Sequence, residues 1–172
     1  MDAITLLREQ LSTAHEWLEG TMADVTAEQA EWAPPGTANP LGASYAHAVT
    51  SEDLIVNAML GGGTPLFLGE WAGKTGQSAP HPHQDWTQYA AWVRDVRLDL
   101  PAARAYAQAV YAASDAYLAG LTPEDLDRQV DLFGMSQSVG AALGSFVVGH
   151  CHDMMGEISC LKGLQGGRGY PF

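Results

Sequence analysis

Imidazoles on the apolar stripes of two separate helical segments are the side chains here best suited to chemistry. Nitrogen ligands converging from different helices can hold a divalent metal inside a helical bundle. His150 stands on one such stripe: Leu143, Val147, His150, Met154, Glu157, Leu161 and Leu164 recur at three-and-four spacing on one helical face. His47 interrupts another seam far earlier in the chain, followed by Leu54 and Ala58. One turn beyond His150, where a third nitrogen ligand is expected, stands Met154. Its thioether suits copper(I) better than zinc, and its ordinary role is to fill core space. Asp153, three residues after His150, is better placed, since a His-x-x-Asp pair presents nitrogen and oxygen to zinc or a similar ion.

Each of these residues has a plainer reading. A histidine on an apolar face can donate to a carbonyl or carboxylate and do nothing else. Glu157 is a polar interruption of the same seam and needs a partner if buried. Glu52 follows His47 by five residues, about 140° round the helix, and either orients a histidine through a hydrogen bond or is a solvated helix acid. Glu52-Asp53 read as such a solvated pair. His152 lies about 200° from His150, so an undistorted helix aims the two apart. His81 and His83 flank Pro82 and read as a solvent-exposed loop pair, with weak chelation or cleft covering as the functional alternative. His15 is unremarkable. No Ser-His-Asp signature, phosphate loop or Cys-x-x-Cys motif is present.

These side chains must be positioned by helices. Ile4, Leu7, Leu11, Ala14 and Leu18 predict a first amphipathic helix over residues 2–20. Thr26 to Gln29 resembles a capping box opening a short turn through Trp32. A second long helix spans residues 42–60 and stops at Gly61-Gly62-Gly63. A Gly- and Pro-rich connection follows over residues 61–85; loops of this length are functional or packed over a surface. Residues 86–119 give a third helical stretch with Pro101 as a break or restart, and Thr122-Pro123 opens a short helix. Residues 131–137 read as irregular, and Ser136 or Ser138 caps a last helix to Leu164. No convincing strands are predicted. The expected fold class is all-α, a four-helix bundle with long interhelical connections, formed by residues 1–172 as one domain.

Composition excludes several partners. The chain of 172 residues is 47% hydrophobic with five tryptophans, enough for a core. A formal charge of −12 with only eight Lys plus Arg argues against nucleic acid and anionic membrane surfaces. No signal peptide and no membrane span are expected. Cys151 and Cys160 fall in one predicted helix, roughly 13 Å apart on opposite faces, so they cannot pair. A reduced, cytoplasmic setting follows as the simplest expectation.

Several segments in order resemble the DinB-like superfamily of damage-inducible and thiol-transferase-related proteins. They are Asn39-Pro40-Leu41-Gly42, Tyr45-Ala46-His47-Ala48 with Glu52, the long loop with Trp71, Tyr106 to Val110, and Gly156-Glu157-Ile158 through the Gly169-Tyr170-Pro171-Phe172 ending. The resemblance implies a four-helix bundle, commonly a homodimer, with a divalent metal such as zinc or nickel held by three histidines. Matched residue by residue, His47 is the first ligand and His150 the second, while Met154 occupies the third position. Asp153, Glu157, His152 through a helix distortion, or water then completes a weaker site, or the site has decayed. Glu52 and Glu157 are the residues expected to support it.

Two functions follow as expectations. One is a metal-dependent transferase or hydrolase acting with a low-molecular-weight thiol, its cleft shaped by residues 61–85 and the Tyr170–Phe172 tail. The other is a non-catalytic stress-associated or binding protein whose metal site is degenerate.

Overall fold

Side-chain caps start several of the helices. In the computed structural model, which describes residues 1–83 and 85–172, Asp2 accepts from the Thr5 N–H at 2.8 Å and opens α1, Ala3–Met22. Leu11, Ala14, His15, Leu18 and Met22 form its buried face. The Thr26–Gln29 capping box is present and opens α2, Ala27–Glu31. The second long helix begins as α3, Leu41–Asp53, and continues as a π-helical stretch, Leu54–Leu60. The last begins as α7, Val139–Ala142, runs through a second π-helical stretch, Leu143–Gly149, and continues as α8, His150–Leu164. Periodicity in sequence does not separate α from π winding, so these two stretches were not foreseen.

The third helical stretch is divided earlier than Pro101. A 3-10 turn, Trp86–Gln88, leads into α4, Tyr89–Asp95; the chain then becomes extended at Val96. It restarts as α5, Leu100–Ala119, capped by Asp99, with Pro101 inside the first turn. Proline is tolerated there because the first-turn N–H groups have no helical acceptor. A short α6, Pro123–Asp127, follows.

The expectation of no strands is corrected by a small antiparallel hairpin. β1, Gln129–Leu132, pairs with β2, Met135–Ser138, around a tip where Phe133 and Gly134 both have positive φ, 57° and 79°. Only Leu132 of the two strands is buried, so the segment lacks the apolar alternation that announces a strand.

The protein is predominantly helical. α3 packs on α8 and α5, and α1 packs on α8 and α5. Tyr45, Leu18, Met22, Tyr106, Val110 and Ile158 fill the larger core; Leu118, Leu132, Leu143 and Val56 belong to a second cluster around the π-helical stretches and the hairpin. Each such aliphatic side chain stabilises the fold by about 1.5–3 kcal/mol against exposure. Residues 66–77 are fastened over α3 and α5. The N–H groups of Leu66 and Phe67 donate to Asp53, and Gln77 donates to Thr50. Gly76, at φ 73°, approaches α5 so closely that a Cβ would stand 2.5 Å from the Ala103 nitrogen. Among the described residues no helix is long and apolar enough to cross a membrane.

Candidate functional site

The packing of α3 on α8 brings His47 and His150 together. Their Nε2 atoms stand 3.2 Å apart and the rings meet almost edge to face, 87° between planes. Ser51, one turn after His47, stands 3.1 Å from its Nδ1 and fixes the ring. Both imidazoles are partly buried, and burial is the first cause that lowers their proton affinity. His47 is pushed down to about 3 by burial, then by His150 and His81. His150 is lowered as well, against the opposing pull of Asp153, Glu52 and Glu157. The pair is therefore neutral at physiological pH, the state in which imidazole nitrogens bind metals.

Beside the pair lies a cavity of about 180 Å³. Leu54 and Ile55 of the first π-helical stretch, Phe146 of the second, and Phe133 at the hairpin tip enclose it with the two histidines. π-helical turns inside α-helices occur frequently at functional sites, and both helices here carry one beside a site histidine. A bulky residue at positive φ is uncommon, and Phe133 adopts it where its ring reaches Phe146, centroids 5.9 Å apart. Tyr89 adds its ring against His47 at 5.2 Å.

The other sequence candidates go elsewhere. Asp153 is exposed, one turn along α8, and makes no hydrogen bond to the histidine pair. Met154 is partly buried and packs on the larger core. Glu157 accepts from the Ser44 hydroxyl at 2.9 Å. Glu52 and Asp53 are not solvated helix acids, being 5% and 0% exposed. Glu52 bonds His15 Nε2 at 2.8 Å and accepts from Ser114 at 2.6 Å, so its hydrogen bonds orient neither His47 nor His150. Asp53 accepts from Tyr106, Asn57, Leu66 and Phe67. His15, unremarkable in sequence, is buried and stacked on Tyr111, centroids 3.7 Å apart. His81 is buried against Phe67 and Trp92 instead of exposed on its loop, and burial pushes it down to about 4. His83 is partly buried beside Phe67. His152 faces Trp17, as its angle on the helix requires, and the tail lies there too, with Phe172 against Trp17. The tail contributes nothing to the lining of the histidine cavity. Ser51, Phe133, Phe146 and Tyr89 were missed; only Ser51, one turn from His47, carried a sequence signal.

Two nitrogens bound to a tetrahedral zinc ion at 2.0–2.1 Å stand about 3.3 Å apart. The 3.2 Å separation of the two Nε2 atoms fits two positions of such an ion. Among the described residues no group of three or more His, Cys, Asp or Glu comes together to complete it. Two nitrogens are one protein ligand short of an open zinc site and two short of a closed structural one.

The family model of the DinB superfamily matches residues 10–158. A comparison with curated proteins finds no match. Among solved structures, the crystal structure of a conserved protein from Enterococcus faecalis resembles this chain with a TM-score of 0.78, covering 95% of this chain and 99% of that one at 24% identity. That likeness shows a shared fold.

Proposed function

The chain belongs to the DinB superfamily, and from that premise we propose that it is a metal-assisted transferase or hydrolase acting with a low-molecular-weight thiol. The observation that carries the reading is the meeting of His47 and His150 Nε2 atoms from two helices beside a small apolar cavity. The long helices α1, α3, α5 and α8 with their π-helical continuations are taken as the four members of a bundle, and a homodimer belongs to the same proposal. The thiol comes from the likeness to thiol-transferase-related members.

His47 and His150 would hold the ion, zinc or nickel. When bound, a divalent ion supplies Lewis-acid chemistry, lowering the pKa of a thiol or water at its open positions. The remaining work falls to this chain's own groups. For Nε2 of His47 to keep its lone pair, Nδ1 carries the proton and donates it to Ser51, which locks tautomer and ring orientation. Leu54, Ile55, Phe146 and Phe133 exclude water and accept an apolar substrate portion. Glu157 stays anchored by Ser44 and adds negative potential toward His150.

A second reading is a non-catalytic binding protein with a degenerate site, favoured by Met154 at the third-ligand position and by the absence of a third donor among the described residues. Elemental analysis of untagged protein purified without chelator separates the two. Near-stoichiometric zinc or nickel, lost in both His47→Ala and His150→Ala, supports the enzyme reading, and transfer of a small thiol to an electrophile is then assayed on the same variants. Absence of metal after equilibration with excess zinc and nickel overturns it in favour of the second reading.

A further inference from the structure

The hairpin tip carries a residue that its turn does not call for. Leu132 pairs with Met135, so Phe133 and Gly134 alone join β1 to β2. Both have positive φ, 57° and 79°, as a tight two-residue hairpin loop requires. Asn, Asp or Gly is the usual first residue of such a loop, and a bulky aromatic side chain there is strained. The turn has its own support, because the Gly134 N–H donates to Asp131 Oδ1 at 2.9 Å. The Phe133 ring is 46% exposed and adds little to the core. Neither turn geometry nor core packing accounts for a phenylalanine at this position.

Its ring lies instead at the histidine cavity. Phe133 is the one exposed residue of the lining and so forms the solvent-side wall, with Phe146 beside it at a centroid distance of 5.9 Å. Leu54 and Ile55 supply aliphatic wall, and His47 and His150 supply the polar end. An engineered protein cavity of about 150 Å³ lined by Leu, Ile and Phe takes benzene. The 180 Å³ here therefore suits one six-membered ring with a short link to the imidazoles, and two fused rings overfill it. Edge and face contacts with Phe133 and Phe146 favour an aromatic ring over an alkyl group of equal size.

We propose that Phe133 is a specificity-determining residue of the histidine site: it closes the cavity to a size that admits a single aromatic ring next to the reacting atom of the electrophilic substrate. The proposal rests on the reading of His47 and His150 as the reacting centre, and it makes that substrate an aryl compound.

The test is a titration of the full, metal-free chain with benzyl alcohol and with 2-naphthylmethanol, followed by amide NMR shifts. Each probe joins an apolar ring system to one hydroxyl able to bond an imidazole. Saturable binding of benzyl alcohol is expected, with shifts at Leu54, Ile55 and Phe146, and binding of the two-ring probe weaker by roughly tenfold or more. In Phe133→Asn and Phe133→Gly the two-ring probe should regain roughly that factor relative to benzyl alcohol. Both replacements suit positive φ, so their melting temperatures should equal or exceed that of the wild type. Absence of saturable benzyl alcohol binding at millimolar concentration overturns the proposal. So does a one-ring preference that persists in both variants, or equal binding of the two probes by the wild type. Because no metal is present in the titration, these failures are distinct from absence of zinc or nickel uptake, which overturns the enzyme reading itself.

Discussion

Asp53 and His47 lie on the same helix, both withdrawn from bulk water, and their surroundings differ in one respect. Asp53 is fully buried and accepts four hydrogen bonds, from Tyr106, Asn57 and the N–H groups of Leu66 and Phe67. His47 has Ser51 on one nitrogen and, on the other, a second imidazole. The two Nε2 atoms satisfy only each other, through a single shared proton; with that proton on the other nitrogen of His150, both lone pairs face the gap between the rings. A saturated carboxylate pins Leu66 and Phe67 of the loop to α3, whereas the histidine pair is held by one internal bond that a ligand can replace. Hydrogen-bond saturation separates these two groups where burial does not.

The largest test of that contrast is Asp53→Ala. Four donors lose their acceptor at once, and a cost of about 3–5 kcal/mol is expected in urea unfolding; a cost below about 1 kcal/mol would break the comparison. Acidification comes next. Burial lowers His81 to about 4, so between there and the ordinary value near 6.5 the unfolded chain binds the extra proton. Its stabilising contribution is whole above that window and is lost as pH falls through it, at most about 3 kcal/mol. The pH dependence of Tm should flatten in His81→Leu; an unchanged slope would place the acid sensitivity elsewhere.

Smaller effects sharpen the histidine side. Met154→His adds a nitrogen one turn from His150 and should raise metal affinity about tenfold, equivalent to 1.4 kcal/mol, read by competition with a chromogenic chelator. No gain would mean position 154 does not face the pair. Ser51→Ala should cost under about 1 kcal/mol of stability while weakening metal uptake by up to roughly tenfold, because it frees the His47 ring. The reverse pattern would make Ser51 a packing residue.

Much of the histidine seam was legible because helical periodicity is a local property. Three-and-four spacing put His47 and His150 on inward faces, and the packing of α3 on α8 did the rest. The same reasoning failed for Glu52 and Asp53, whose charge suggested solvent. Their partners, His15, Ser114, Tyr106 and the loop N–H groups, come from distant segments with no pattern linking them to residues 52–53. His81 failed similarly, since a Pro-flanked loop histidine gives no hint that Phe67 and Trp92 close over it. The hairpin was too short and too polar to register.

Sequence by itself determined the long helices, their inward faces, the two histidines on those faces, the angular separation of His150 from His152, and the acidic surface. All follow from 3.6-residue geometry and side-chain chemistry within a few turns. Only the tertiary structure decided that the imidazoles meet at 3.2 Å, that Asp153 faces outward, that Glu52 serves His15, and that Phe133 walls the histidine cavity. Those outcomes depend on how helices rotate and slide against one another, which the summed packing of many residues sets and no local pattern encodes.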